Sequence, residues 1–125
     1  MVINDLVWVG LGGCAGAVLR YSISSWVQGR HSGDWPMGTF TVNMIGCFAI
    51  GVAMALIHHG GLSIHGRQFW VTGLLGALTT FSTFSWETLV LFRDGQHVAA
   101  VLNVAANTAV GLIAVLLGLF LGRAV

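Results

Sequence analysis

The sequence predicts an all-α membrane protein, with four transmembrane helices in a single domain over residues 1–125. Two observations predict it. Hydrophobic residues make up 56% of the chain and charged residues only 7%, at a mean hydropathy of +0.86. A soluble domain carries about 25% charged residues, so this chain lacks the charge to cover a water-facing surface. The second observation is spacing. Four apolar runs each reach the ~20 residues a helix needs to cross a ~30 Å hydrocarbon core, and polar stretches separate them. No length remains for a soluble domain. A net charge of +1 without a basic stripe excludes a nucleic-acid partner.

The first predicted helix covers residues 3–26, with Arg20 near its far end. Asp5 precedes the apolar run and no Lys or Arg does, so the segment reads as a retained helix rather than a cleaved signal peptide. A polar link, Gln28 to Asp34, leads to Trp35-Pro36. Trp suits the membrane interface and Pro the first turn of the second helix, residues 36–57. The stretch from His58 to Arg67 leads to the third helix, residues 68–92, which contains Glu87. Arg93-Asp94-Gly95-Gln96 turns the chain into the fourth, residues 97–121. Gly12 and Gly16 form a GxxxG, as do Gly118 and Gly122. Small residues let helices approach closely in lipid, within a subunit or between two.

The third helix is expected to break near its middle. Gly73 and Gly76 precede Thr79-Thr80-Phe81-Ser82-Thr83-Phe84-Ser85, a run of β-branched and hydroxyl residues at bilayer depth. A break frees backbone groups, tolerated only where protein or a cavity satisfies them. Free carbonyls suit a cation and free N–H groups an anion. Phe81 and Phe84 are three apart, and the edge of an aromatic ring carries partial positive charge that can face an anion.

Orientation follows Lys and Arg in short loops. Arg20, Arg30 and Arg93 fall on one side; Arg67, Arg123 and the terminal amine fall on the other, three against three. Balanced charge predicts insertion both ways, and hence an antiparallel homodimer with a two-fold axis in the membrane plane.

Polar residues at depth are the candidate functional ones. Asn43 shares a helix face with Thr39, and either joins helices or donates to a ligand. Asn103 and Asn107, four apart, form a polar track or bind helices together. Arg20 and Glu87 either snorkel to the interface or line an aqueous path. Cys14 and Cys47 sit in apolar stretches and read as packing residues. The five histidines fall in or beside loops without ligand spacing on a helix. No Ser-His-Asp or paired-carboxylate constellation lies in the spans, so the chain does not read as an enzyme.

Three pieces carry a resemblance: Gly12-Gly13-x-x-Gly16-x-x-x-Arg20, Gly38-Thr39-x-x-x-Asn43, and Thr72-Gly73-x-x-Gly76-x-x-Thr79-Thr80-Phe81-Ser82-Thr83-Phe84-Ser85-x-Glu87. With these the chain resembles the small dual-topology fluoride channels, the Fluc or CrcB family, in order and over nearly its whole length. The resemblance implies an antiparallel homodimer with two fluoride pores in a bacterial cytoplasmic (inner) membrane. It implies that Phe81 and Phe84 edge the ion path and that Asn43 donates to fluoride. Thr79, Thr80, Ser82 and Thr83 would lie in or beside the break. Carbonyls of Gly76 and Thr79 from both subunits would hold a central structural sodium ion. Arg20 would line the vestibule, with Asn103, Asn107 and Glu87 along the pathway. Trp86 departs from the family pattern, standing where a small residue is expected.

Fluoride is small and strongly hydrated, so it must exchange water for strong donors. Amide N–H groups, hydroxyls and ring edges supply these, and weak multiple sites permit passage. Passive conduction without nucleotide is expected, and its cellular task is lowering internal fluoride. The rival is a dual-topology small multidrug transporter exchanging cations for protons. It needs a membrane-embedded carboxylate in the first helix, where this chain has only Asp5 at the edge.

Overall fold

The computed structural model describes residues 2–124. Every regular element among them is helical: α1 (Val2–Gln28), α2 (Met37–His58), α3 (residues 64–78), α4 (Phe81–Arg93) and α5 (His97–Arg123). Three are long and apolar enough to cross a membrane: Ile3–Gln28 of α1, Met37–His58 and His97–Arg123. The predicted third helix, residues 68–92, falls on two elements, with helix ending at Leu78 and resuming at Phe81. α3 begins at Ile64 and α4 ends at Arg93. Within α3, an α-helical turn (Ile64–Arg67) gives way to a π-helical stretch (Gln68–Leu75) and a closing turn (Gly76–Leu78). Wider π turns are rare overall but frequent at functional sites.

The end of α1 and the start of α2 differ from expectation for one physical reason. Pro36 was placed in the first turn of α2 but precedes it (φ −78°, ψ 66°) and offers no side-chain cap. Gln28, the last residue of α1, supplies the cap: its Oε1 accepts the Gly38 N–H at 3.1 Å. Its Nε2 donates to the Trp35 carbonyl at 3.2 Å. One side chain thereby satisfies an orphan donor at a helix start and holds α1 beyond Trp26.

Glycines set two close seams. A Cβ on Gly12 would overlap the Phe69 carbonyl oxygen, and one on Gly16 the Leu74 carbonyl oxygen, so α1 lies against the backbone of α3. A Cβ on Gly118 would overlap the Phe48 carbonyl oxygen, and one on Gly51 the Val115 carbonyl oxygen, so α2 and α5 interlock likewise. A Cβ on Gly122 would come within 2.7 Å of the Ala55 Cβ. Both GxxxG pairs therefore pack inside the chain. The pairs α2–α5 and α1–α3 make its most extensive contacts. Val42, Leu75 and Leu78 form the buried core, flanked by Ile23, Ala49, Ile50 and Leu74.

Candidate anion cleft at the α3–α4 junction

Helical backbone stops at Leu78. Thr79 (φ −84°, ψ 156°) and Thr80 (φ −149°, ψ 117°) are extended, and helix resumes at Phe81. The local sequence supports this. Thr80 caps α4 by accepting the Thr83 N–H on its Oγ1 at 3.2 Å, a role Thr fills well. The same hydroxyl donates to Thr83 Oγ1 at 3.0 Å and lies 3.4 Å from Ser82 Oγ. The Thr79 hydroxyl donates to the Leu75 carbonyl at 3.1 Å.

Asn43 holds the extended pair in place. Its Oδ1 accepts the Thr80 N–H at 2.9 Å, and its Nδ2 reaches the Thr80 carbonyl at 3.4 Å. Nδ2 also donates to Asn107 Oδ1 at 3.1 Å. The amide thus grips both sides of one residue's backbone, replacing the bonds the helix lost. Gly46 makes room, because a Cβ there would overlap the Thr79 methyl.

A cleft of about 390 Å³ opens at this junction, lined by Asn43, Gly46, Cys47, Ile50, Val71, Leu75, Gly76, Thr79, Thr80, Phe81, Phe84, Asn107 and Thr108. None of these carries a formal charge. The Phe81 and Phe84 rings lie 5.6 Å apart at 50°, and Phe81 is 79% exposed. The structure therefore gathers Asn43, Gly76, Thr79, Thr80, Phe81, Phe84 and Asn107 in one place.

Other predicted residues lie elsewhere. Thr83 and Glu87 line a second cleft of about 490 Å³, with Thr39, Trp86, Asp34, Asp94 and Gln96. Three carboxylates face that cleft and no Arg lines it. Glu87 Oε1 accepts the Thr39 hydroxyl at 2.7 Å, which ties this half-buried carboxylate to α2. Ser82 is exposed beside Thr80 and lines neither cleft. Arg20 lines neither cleft. Asn103 is 1% exposed and stands behind the first cleft. Its Nδ2 donates to Thr88 Oγ1 at 2.8 Å, and its Oδ1 accepts from Asn107 at 3.0 Å. Thr88 had no sequence signal, because its partner lies on another helix.

An interrupted helix beside an uncharged, largely apolar cleft that carries a few amides and hydroxyls, among helices long enough to span lipid, defines a small polytopic membrane protein that handles an ion or small solute. The family described as "CrcB-like protein, Camphor Resistance (CrcB)" matches residues 7–119, and the chain belongs to that family. It is 43% identical over 113 residues to the fluoride-specific ion channel FluC of Parabacteroides distasonis, covering 90% of this chain and 88% of that one. It is 43% identical over 118 residues to the FluC of Acidobacterium capsulatum, covering 94% of each. It is 47% identical over 115 residues to the FluC of Shewanella halifaxensis, covering 92% of this chain and 93% of that one. These relatives are named as ion channels, not enzymes.

Proposed function

We propose that this chain is the subunit of a fluoride-selective passive channel that lets fluoride leave the cell and lowers its cytoplasmic level. One observation carries the reading: the amides of Asn43 and Asn107, the hydroxyls of Thr79 and Thr80 and the rings of Phe81 and Phe84 line one cleft without a charged side chain. A bare anion in a low-dielectric site needs hydrogen-bond donors in place of water. A full cation would hold it too tightly for passage, whereas several neutral donors in series bind and release. Asn43 donates through Nδ2, the Phe81 and Phe84 edges face the ion, and the Thr80 and Thr83 hydroxyls extend the path. The relatives' name, fluoride-specific ion channel, supports the choice of anion.

The working unit in this reading is an antiparallel homodimer in a bacterial inner membrane. The exposure of Phe81 and of Gly76 in the single subunit supports a partner there. A structural sodium ion at the shared axis fits the backbone chemistry. The Gly76 carbonyl would ordinarily accept from the Thr80 N–H, which is turned to Asn43. The Thr79 carbonyl would ordinarily accept from the Thr83 N–H, which is turned to Thr80 Oγ1. Two carbonyls are thus left for a hard cation, which oxygen donors suit. The ion would supply a fixed positive charge that ties the subunits together.

The proton-coupled antiporter reading lacks its central group, because α1 presents no carboxylate beyond Asp5. Fluoride efflux from liposomes holding the purified protein, with chloride as control, tests the proposal. Rapid fluoride loss with little chloride loss is expected. No fluoride flux, or equal chloride flux, would sink it.

A further inference from the structure

One series of hydrogen bonds runs in a single direction from the interruption back to Phe84. The Thr80 N–H donates to Asn43 Oδ1 (2.9 Å), and Asn43 Nδ2 donates to Asn107 Oδ1 (3.1 Å). Asn107 Nδ2 donates to Asn103 Oδ1 (3.0 Å), and Asn103 Nδ2 donates to Thr88 Oγ1 (2.8 Å). The Thr88 hydroxyl donates to the Phe84 carbonyl (2.8 Å). In every amide the oxygen faces the previous member and the nitrogen faces the next. Both ends are backbone groups, an N–H and a C=O, whose roles cannot reverse. The ends therefore fix the orientation of all three amides between them.

The geometry points to Asn103 and Thr88 as positioning residues that hold in place, through Asn107, the acceptor against which Asn43 presents its amide to an anion, resting on the fluoride-channel reading above. Neither lines the cleft that holds Phe81 and Phe84. Asn103 is 1% exposed, with its amide oxygen and nitrogen both bonded to side chains, and lies out of reach of an ion in the cleft. Thr88 lines a separate groove with Leu89, Phe92 and Ala100. Their effect passes through Asn107. Asn43 Nδ2 carries two protons: one is committed to Asn107, and the other meets the Thr80 carbonyl only at 3.4 Å. That contact is long for a hydrogen bond, so this proton is the one an entering anion can take over. Removing the Thr88 hydroxyl leaves Asn103 without its acceptor. Asn103 is then free to turn over and set its NH₂ against that of Asn107, whose nitrogen the Asn103 backbone carbonyl also holds at 3.0 Å, so Asn107 shifts and Asn43 Nδ2 loses the acceptor that places it. Members of such a series also polarise one another, so a change at one end is felt at the other.

The test compares the unaltered protein with Thr88→Val, Thr88→Ser and Asn103→Leu in liposomes. Initial fluoride efflux, half-saturating fluoride and the fluoride-to-chloride ratio are read, normalised to dimer recovered by gel filtration. T88V and N103L are expected to lower fluoride efflux about tenfold, the scale of one oriented hydrogen bond. They should raise half-saturating fluoride and lower the fluoride-to-chloride ratio, neither of which loss of folded protein would do. T88S, which restores the hydroxyl, should return all three readouts. Thr88→Ala replaces T88V if T88V does not fold. Unchanged efflux and selectivity in folded T88V and N103L overturn the positioning role while leaving the channel reading intact. No fluoride efflux from the unaltered protein overturns both.

Discussion

The Thr39 hydroxyl donates to Oε1 of Glu87 at 2.7 Å, joining α2 to α4 across 48 residues of sequence. The other carboxylate oxygen, Oε2, is enclosed with no hydrogen-bond partner among the described residues. Thr39→Val leaves both oxygens without a protein donor. An unmet buried acceptor costs about 1–3 kcal/mol, so T39V should melt lower in detergent while Thr39→Ser melts normally. Coincident melting of T39V and the unaltered protein would show that water serves Glu87 as well as Thr39 does.

The fit between Gly46 and Thr79 makes a second expectation. A Cβ at position 46 would strike the Thr79 Cγ2 methyl. Overpacking of this kind costs about 1–3 kcal/mol and here would push the extended pair off Asn43. Gly46→Ala should therefore cut fluoride efflux. Thr79→Ser removes the methyl and keeps the hydroxyl that binds the Leu75 carbonyl. The double variant should recover most of the flux. If it remains as impaired as G46A alone, the steric account is wrong.

Glycines of one helix should differ sharply. At Gly12 a Cβ would overlap the Phe69 carbonyl oxygen, backbone that cannot step aside, whereas nothing lies within 4 Å of a Cβ at Gly10. Gly12→Ala should lower the yield of folded protein severely, because α1 and α3 must part. Gly10→Ala should be neutral or slightly stabilising, since Ala favours helix over Gly by roughly 0.5–1 kcal/mol. Gel-filtration profiles at matched expression decide it.

Phe81→Ile and Phe84→Ile keep apolar bulk but remove the electropositive ring edge. Each should strongly reduce fluoride efflux while the dimer persists on gel filtration. Full efflux in either variant would remove that ring from the ion path.

The balanced Arg count predicts an orientation effect. Two or three Lys introduced between Arg30 and Asp34 should fix one orientation and abolish flux. Co-expression with a copy biased the other way, by Lys between His59 and Arg67, should restore it. Full activity of the fixed-orientation chain alone would refute the inverted pair.

The spans were legible because crossing lipid demands a gross property, a long apolar run, that composition alone reveals. Thr79 and Thr80 were legible as poor helix formers with side-chain oxygens able to take over backbone bonds, and the backbone is extended at these two residues. Thr39 and Asn43 were legible as one face of α2, and both do reach the α3–α4 segment. Three features were not. The π-helical stretch over Gln68–Leu75 leaves no mark in an apolar run, where every turn width buries similar side chains. Gln28 caps a helix ten residues away from itself, so it does not resemble a local cap. Thr88 matters only through Asn103, and a single sequence cannot say which residue a buried hydroxyl meets. The two GxxxG pairs were visible, but their partners within the chain were not.

The two glycine seams are interleaved along the chain: α1 closes on α3, and α2 closes on α5. Neither seam joins sequence neighbours. During synthesis α1 must therefore wait in the bilayer, its Gly12–Gly16 face unmatched, until Phe69 and Leu74 have been made. α2 waits longer still. A ribosome halted after His58 leaves both seams half-built. Yet each half would carry one side of each seam. A chain cut within Gly60–Gly61 and supplied as two fragments has every reason to reassemble, as two hands clasp by alternate fingers.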